Sequence, residues 1–219
     1  MDPASTTVRF SGHTWSVKQS ATPVGPGPNL FSAANVGVDS HGLHLRIART
    51  GTGWTCAEVV AQGSFGYGAY EWVLTSDVTR LDPHAVLGMF TWSDDPDEGH
   101  REIDIELGRL GDSPPSRIGQ VGQLGRFTVQ APVPLSSPVF TLASAPSSRH
   151  TFTWRPGHVS AESSTPGVTP VRWSVTDAAV PSAGGAVAPR VNLWCYRGRE
   201  PASPQHVTVE RFAYAPAAP

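Results

Sequence analysis

The chain has 219 residues, of which 16% are charged, and its net charge is −2. This near-neutral balance gives no electrostatic case for binding nucleic acid or an anionic membrane surface, and no apolar run approaches the roughly 20 residues of a membrane-spanning helix. The 22 glycines and 21 prolines indicate many turns, yet stay below the roughly 25–30% that marks low-complexity chains.

The chain start and the cysteines bear on localisation without deciding it. Met1–Pro3 leads into neither the basic nor the apolar segment of a signal peptide. An exported protein without its leader and a cytoplasmic protein would look alike here. Cys56 and Cys195 could form one disulfide after export or remain two buried thiols, and their spacing does not indicate a zinc site.

In the first half of the chain, short alternating or apolar segments bounded by turn residues predict β-strands. The segment Thr22–Asn29 is so rich in proline and glycine that we predict an extended loop. The predicted strands are Val8–Gly12, Trp15–Lys18, Val36–Asp39, Leu43–Arg49, Trp54–Ala61, Tyr67–Thr75 and Ala85–Trp92.

The second half continues the pattern, and no helical periodicity persists over ten residues. The pattern loosens after Gly111, and we predict a surface loop over Pro132–Ser148. The further predicted strands are Arg126–Gln130, His150–Trp154, Val171–Val175, Val191–Trp194 and Val207–Tyr214. Short strands with frequent turns predict an all-β sandwich or jelly roll, as one domain over residues 1–219.

The most unusual strand lies between these halves and pairs in a predicted hairpin with Ala85–Trp92. Glu102, Asp104 and Glu106 alternate with apolar residues, so on a β-strand all three carboxylates share one face. Like charges on one strand face repel, and more strongly in a cleft. This row is either a solvated acidic face or a catalytic face.

A catalytic face would suit hydrolysis of a glycosidic bond, which uses one carboxyl group as an acid and another as a nucleophile or base. On a flat strand, the Cα atoms of Glu102 and Glu106 would lie about 13 Å apart, so the spacing alone does not decide between retention and inversion. The intervening Asp104 would couple the titration of all three groups.

The motif Glu102–Glu106, preceded by a strand ending Phe-Thr-Trp, resembles the signature of glycoside hydrolase family 16. Further segments resemble other parts of that family in the same order along the chain. They are Asn35-Val36, Gly42–Leu45, Cys56–Val59, Phe65–Glu71, Thr151–Pro156 and Asn192–Trp194.

The resemblance implies a curved two-sheet antiparallel β-sandwich (a concanavalin A-like β-jelly roll) with an open concave cleft. It implies an endo-acting retaining glycoside hydrolase in which Glu102 is the nucleophile, Glu106 the acid/base and Asp104 the residue that orients Glu102. The unbroken motif is similar to the lichenase and xyloglucan-modifying branches, and this similarity favours a β-glucan with 1,4-linkages. The substrate we expect is a β-glucan with 1,3-1,4 or 1,3 linkages. We expect a secreted or periplasmic monomer that needs no cofactor.

Five residues are candidates for substrate contact. Trp92 and Trp194 could stack on sugar rings or pack in the core, and Asn192 and Gln130 could hydrogen-bond hydroxyl groups or serve the fold. Lichenases carry a tryptophan two residues before the nucleophile, whereas this chain has His100, so His100 is where we expect the substrate preference to differ. The other five tryptophans are predicted in the core: Trp15, Trp54, Trp72, Trp154 and Trp173.

Metal binding and two rival functions remain open. The acidic loop Asp94–Glu98 offers oxygen ligands for a structural calcium, but lacks the glycine and spacing of known calcium loops, and no metal-ligating residues are assigned. A transglycosylase would use the same three carboxylates. A non-catalytic carbohydrate-binding module could share the fold.

Overall fold

The computed structural model describes residues 6–51, 53–110, 123–130 and 134–218. Within these ranges the protein forms seventeen β-strands and four short 3-10 turns, with no α-helix. The strands are β1 Thr7–Phe10, β2 His13–Val17, β3 Leu30–Phe31, β4 Val36–Asp39, β5 Gly42–Thr50, β6 Gly53–Ala61, β7 Gly68–Leu74, β8 Ala85–Trp92, β9 Ile103–Gly108, β10 Gln123–Val129, β11 Leu135–Ser136, β12 Phe140–Leu142, β13 Ser148–Arg155, β14 His158–Ser164, β15 Val171–Thr176, β16 Ala188–Cys195 and β17 Gln205–Pro216. The 3-10 turns are Ala33–Asn35, Val78–Arg80, Asp97–Arg101 and Tyr196–Gly198.

The strands form two main antiparallel layers. The first runs in the spatial order β1-β2-β6-β16-β8-β9-β10, and β11 and β12 pair with β10. The second runs β4-β5-β17-β7-β13-β14-β15. The β5–β6 hairpin joins the layers, and the short β3 lies parallel to β6. The predicted all-β jelly roll is confirmed.

The core lies between the layers and is built from alternate residues of each strand. In the first layer Ile103, Ile105 and Leu107 of β9 are buried in it. In the second layer Tyr70 stacks on Phe152 with ring centroids 4.6 Å apart. Large aromatic rings dominate this layer, where each contributes more apolar contact than an aliphatic side chain.

The tryptophans divide as strand alternation would require. Trp15, Trp72 and Trp154 are fully buried, as predicted. Trp54 and Trp173 are half-buried and pack against the same core from its margin. Within the described residues, no helix is long and apolar enough to cross a membrane.

The predicted surface loop over Pro132–Ser148 is wrong in part. Residues 131–133 lie outside the described ranges, but β11 and β12 pair with β10, and Ser148 begins β13. Leu142 is buried, and Phe140 lies 4.8 Å from the ring of Phe127. Prolines mark the ends of such short edge strands rather than forbidding them.

The strand β14 was not predicted, because its sequence is mostly small and polar. Its inward positions Val159, Ala161 and Ser163 are nevertheless buried. The segment that loosens after Gly111 lies largely outside the described ranges, and the single domain over residues 1–219 stays a prediction.

His150 is a titratable side chain within the core. His150 of β13 is fully buried, with Nδ1 2.9 Å from Ser163 Oγ and Nε2 2.8 Å from Ser148 Oγ. Burial lowers its pKa to about 3, because the apolar surroundings disfavour the charged imidazolium. The core therefore holds His150 in its neutral form.

We predict that His150 makes folding stability depend on pH. Below the ordinary histidine pKa of about 6.5, His150 binds a proton in the unfolded chain but stays neutral in the folded chain. The free energy of unfolding therefore falls as the pH drops from about 6.5 towards 3. The slope from this group is at most about 1.4 kcal/mol per pH unit. Urea unfolding at several pH values should show a shallower slope for His150→Asn than for the wild type.

The matched control is His41→Asn, since the side chain of His41 is exposed. It should retain the wild-type slope. Equal slopes in the wild type and His150→Asn would contradict the assignment, whatever the absolute stability of the variant.

Candidate active site

The acidic row lies on the outer face of β9, opposite its core-facing isoleucines. The antiparallel β8–β9 register sets Asp104 opposite Phe90 and Glu106 opposite Gly88. Asp104 is buried, and Glu102 and Glu106 are half-buried. The alternation predicted from the sequence is therefore present, and the carboxylates do not form an open, solvated strand face.

The carboxylates share a cleft of about 430 Å³ on the outer face of the first sheet. Trp92, Asn192 and Trp194 line this cleft together with the three acids, so six of the eight predicted site residues meet there. The other lining residues are Lys18, Gly25, Pro26, Glu58, Gly88, Phe90, Asp94 and Arg190.

Burial dominates the acid–base properties of the row. It raises the pKa of Glu102 to about 7, a rise that a hydrogen bond with Asp104 opposes and the charge of Glu106 reinforces. Burial also raises the pKa of Asp104 well above its usual range, and the two neighbouring glutamates raise it further. We infer that Asp104 keeps its proton and donates it in a hydrogen bond to Glu102.

Glu106 differs from Asp104 in the residue that faces it on β10, which is Arg126 for Glu106 and Thr128 for Asp104. Burial raises its pKa, and the positive charge of Arg126 lowers it. Arg126 is directly opposite Glu106 in the β9–β10 register. A raised pKa favours the protonated form of a carboxyl group, which is the form that general acid catalysis requires.

A tight turn between β8 and β9 sets the start of the acidic strand. Glu98, His100 and Arg101 have positive φ values of 53°, 59° and 53°, a left-handed conformation that non-glycine residues rarely adopt. Two hydrogen bonds hold it: Ser93 N–H donates to His100 O (2.7 Å), and Thr91 Oγ1 donates to Arg101 O (3.0 Å). Glu102 follows directly.

This turn places His100 against Trp92 rather than in the cleft lining. The two rings stack with centroids 4.0 Å apart and an interplanar angle of 12°, and His100 Nδ1 lies 3.0 Å from Ser93 O. The guanidinium carbon of Arg190 lies 5.6 Å from the centroid of Trp92. His100 thus contacts a residue of the cleft lining and is not itself part of that lining.

Gln130 is not among the residues that line the cleft, but it contacts two that are, Glu102 and Asp104. Its Nε2 lies 3.5 Å from Asp104 Oδ2, and its backbone N–H donates to Glu102 O at 2.9 Å. This position suits a residue that holds Asp104 in place.

Asn192 faces the cleft with a free acceptor. Its Oδ1 is buried and has no hydrogen-bond partner among the described residues, while Nδ2 lies 3.5 Å from Glu58 Oε2. A Cβ at position 88 would lie 2.5 Å from this Oδ1, so Gly88 leaves the room that the carboxamide occupies. An unpaired buried oxygen suits a hydroxyl donor from a ligand.

The sequence analysis missed a charged cluster on the neighbouring strands. Glu58 of β6 is buried, with Oε2 2.9 Å from Lys18 Nζ and Oε1 3.5 Å from Arg190 Nη1. Arg190 also pairs with Asp94 at 2.9 Å. Strand alternation could have revealed Arg190, since it shares a face with Asn192 and Trp194 on β16.

The side chains of the acidic loop Asp94–Glu98 contact residues outside the loop. Asp94 pairs with Arg190, Asp95 lies 3.4 Å from Arg101 Nη1, and Ser182 Oγ donates to Glu98 Oε1 at 2.8 Å. Within the described ranges, no group of three or more histidine, cysteine, aspartate or glutamate side chains is arranged to hold a metal ion.

Solved structures share this fold over nearly the whole chain. A β-glucanase from Bacillus licheniformis matches with a TM-score of 0.67 at 16% identity, over 99% of this chain and 100% of that one. A glycoside hydrolase family 16 endo-glucanase from Bacteroides ovatus matches with a TM-score of 0.69 at 12% identity, over 92% and 94%. A Mycobacterium tuberculosis protein described as an immunostimulatory antigen and pseudo β-1,3-glucanase matches with a TM-score of 0.64 at 20% identity, over 92% and 91%.

No known family model matches the sequence, and neither does any curated protein. At such low identities the structural likeness establishes architecture, and one fold can carry several activities. The chain has the β-jelly-roll fold of the glycoside hydrolase family 16 β-glucanases.

Proposed function

We propose that this protein is an endo-acting, retaining glycoside hydrolase that cleaves a β-glucan with 1,3-1,4 or 1,3 linkages. The observation that carries the proposal is the row Glu102, Asp104 and Glu106 in the cleft, with all three pKa values raised. Secretion or export to the periplasm, a monomeric state and activity without a cofactor belong to the same proposal.

The proposed reaction is a double displacement. Glu106 donates its proton to the glycosidic oxygen while the carboxylate of Glu102 attacks the anomeric carbon, so the leaving sugar departs and a glycosyl ester forms. Glu106 then takes a proton from water, whose oxygen attacks the anomeric carbon and releases Glu102. Asp104 donates a hydrogen bond that orients Glu102 and spreads its charge.

The cleft walls supply substrate contacts of two kinds. Trp92 and Trp194 offer aromatic surface for sugar rings, and the free Oδ1 of Asn192 offers an acceptor for a sugar hydroxyl. His100 stacks on Trp92 instead of contacting the sugar directly. We propose that it tunes which sugar unit the ring of Trp92 accepts.

We predict that Glu102→Gln and Glu106→Gln each lower the rate of β-glucan cleavage at least about a thousandfold, since each removes a group that acts on the reacting atoms. The assay measures new reducing ends from barley β-glucan, laminarin and xyloglucan. Proton NMR of the first-formed product reports whether the β configuration is retained.

The matched control is Glu71→Gln. Glu71 pairs with Arg149 and Arg211 on the second sheet, away from the cleft, so this variant should keep the wild-type rate. Wild-type rates in both cleft variants would refute the assignment, as would no cleavage by the wild-type protein across the panel.

A carbohydrate-binding function is the second candidate, because a solved structure with this fold is described as a pseudo β-1,3-glucanase. Isothermal titration with the same glycans distinguishes it: binding without cleavage favours the module. Products longer than the starting oligosaccharide would indicate a transglycosylase.

We also predict that Arg190→Met moves the acidic limb of the pH profile of kcat/KM to higher pH by roughly half a unit. Burial is the main cause of the high pKa of Glu102, and the charge of Arg190 opposes it. Without that charge the nucleophile stays protonated to a higher pH, so activity is lost earlier on acidification.

The control for this variant is Arg211→Met, which removes an arginine from the second sheet and should leave the profile unchanged. An acidic limb that does not move in Arg190→Met, or that moves to lower pH, would contradict the role. Thermal melting of both variants separates a shifted profile from partial unfolding.

A further inference from the structure

The two cysteines meet although 139 positions separate them in the sequence. Cys56 lies in β6, and Cys195 is the last residue of the neighbouring β16. Their Sγ atoms are 3.7 Å apart, and both side chains are buried. The last registered pair of the two strands is Leu193 with Ala57, so the cysteines lie just beyond the regularly paired part of β6 and β16.

From this juxtaposition we propose that Cys56 and Cys195 are a dithiol that closes to a cross-strand disulfide when the protein folds under oxidising conditions. An Sγ–Sγ bond is about 2.05 Å long. The two Sγ atoms are 3.7 Å apart, so they must move closer by less than about 2 Å. The chain contains no third cysteine, so no competing intramolecular pair exists.

The site is connected to the cleft by one side chain. Asn29 Nδ2 donates to Cys195 O and to Pro26 O, each at 2.8 Å, and Cys56 Sγ lies 3.6 Å from Asn29 Oδ1. Pro26 and Gly25 line the cleft, as does Trp194 beside Cys195. The disulfide would therefore link β6 to β16 next to residues that line the cleft.

The chemistry needs an oxidant, which is a small-molecule disulfide such as oxidised glutathione. Both thiols are buried in the folded protein, so the oxidant reaches them during folding, when the thiolate of Cys56 is accessible. It attacks the glutathione disulfide and expels one glutathione thiolate. The thiolate of Cys195 then attacks the mixed disulfide and expels the second. The protein dithiol loses two protons and two electrons, and one glutathione disulfide becomes two glutathione thiols.

The test compares protein refolded from denaturant with dithiothreitol against protein refolded in a glutathione redox buffer. Oxidative refolding should give a product that resists alkylation in denaturant, with a mass 2 Da (two hydrogen atoms) below the reduced form. A cross-link that closes a loop of this length should raise Tm by about 5–15 °C, and dithiothreitol should reverse both changes.

Cys56→Ala and Cys195→Ala are the matched controls, because each keeps one thiol. Their Tm values should be the same after reducing and oxidising refolding, even if the substitution itself lowers both. Two alkylated thiols or a stable glutathione adduct after oxidative refolding of the wild type would overturn the proposal, as would an oxidised form with the reduced Tm. None of these measurements depends on glycan cleavage.

Discussion

Desolvation of a row of carboxylates is the constraint around which the first sheet is arranged. Three acids two residues apart cannot all ionise in a partly dry cleft without strong repulsion. Burial and the two flanking glutamates raise the pKa of Asp104, which favours its protonated form and reduces this repulsion, while Glu106 faces Arg126 across the β9–β10 pair. The opposite face of the same strand is held by Ile103 and Ile105 in the core, so the acids cannot turn away to water.

The cations around the cleft have distinct tasks. Lys18 and Arg190 both contact the buried Glu58, which would be costly to desolvate alone. Arg190 also pairs with Asp94 and lies near the ring of Trp92. It therefore contacts both acidic and aromatic residues of the cleft lining. Lys18 follows the end of β2, Arg190 lies on β16 and Arg126 lies on β10, so cations flank the row of acids on both sides and the two glutamates have different charged surroundings.

Strand periodicity was enough to predict the acidic face and the all-β fold, whereas Trp92, Asn192 and Trp194 became candidates through the resemblance to glycoside hydrolase family 16. Periodicity could not predict the pairing of β16 between β6 and β8, because that contact joins segments far apart in the sequence, so the cluster at Glu58 was missed. The position of His100 could not be predicted from the sequence either, because it depends on successive residues in the left-handed conformation, which non-glycine residues rarely adopt. The small polar β14 gave no apolar signal.

The unbroken spacing of the acidic strand ties chemistry and stability together. Because side chains alternate with a period of two, one inserted residue between Glu102 and Glu106 would turn an acid into the core or an isoleucine into the cleft unless a bulge absorbed it. The pairing of β9 with β8 and β10 is regular from Ile103 to Leu107, so no such bulge exists there. The core beneath β9 therefore fixes the floor of the cleft, whereas Trp92 and Arg190 in its walls lie outside this constraint of the β9 register.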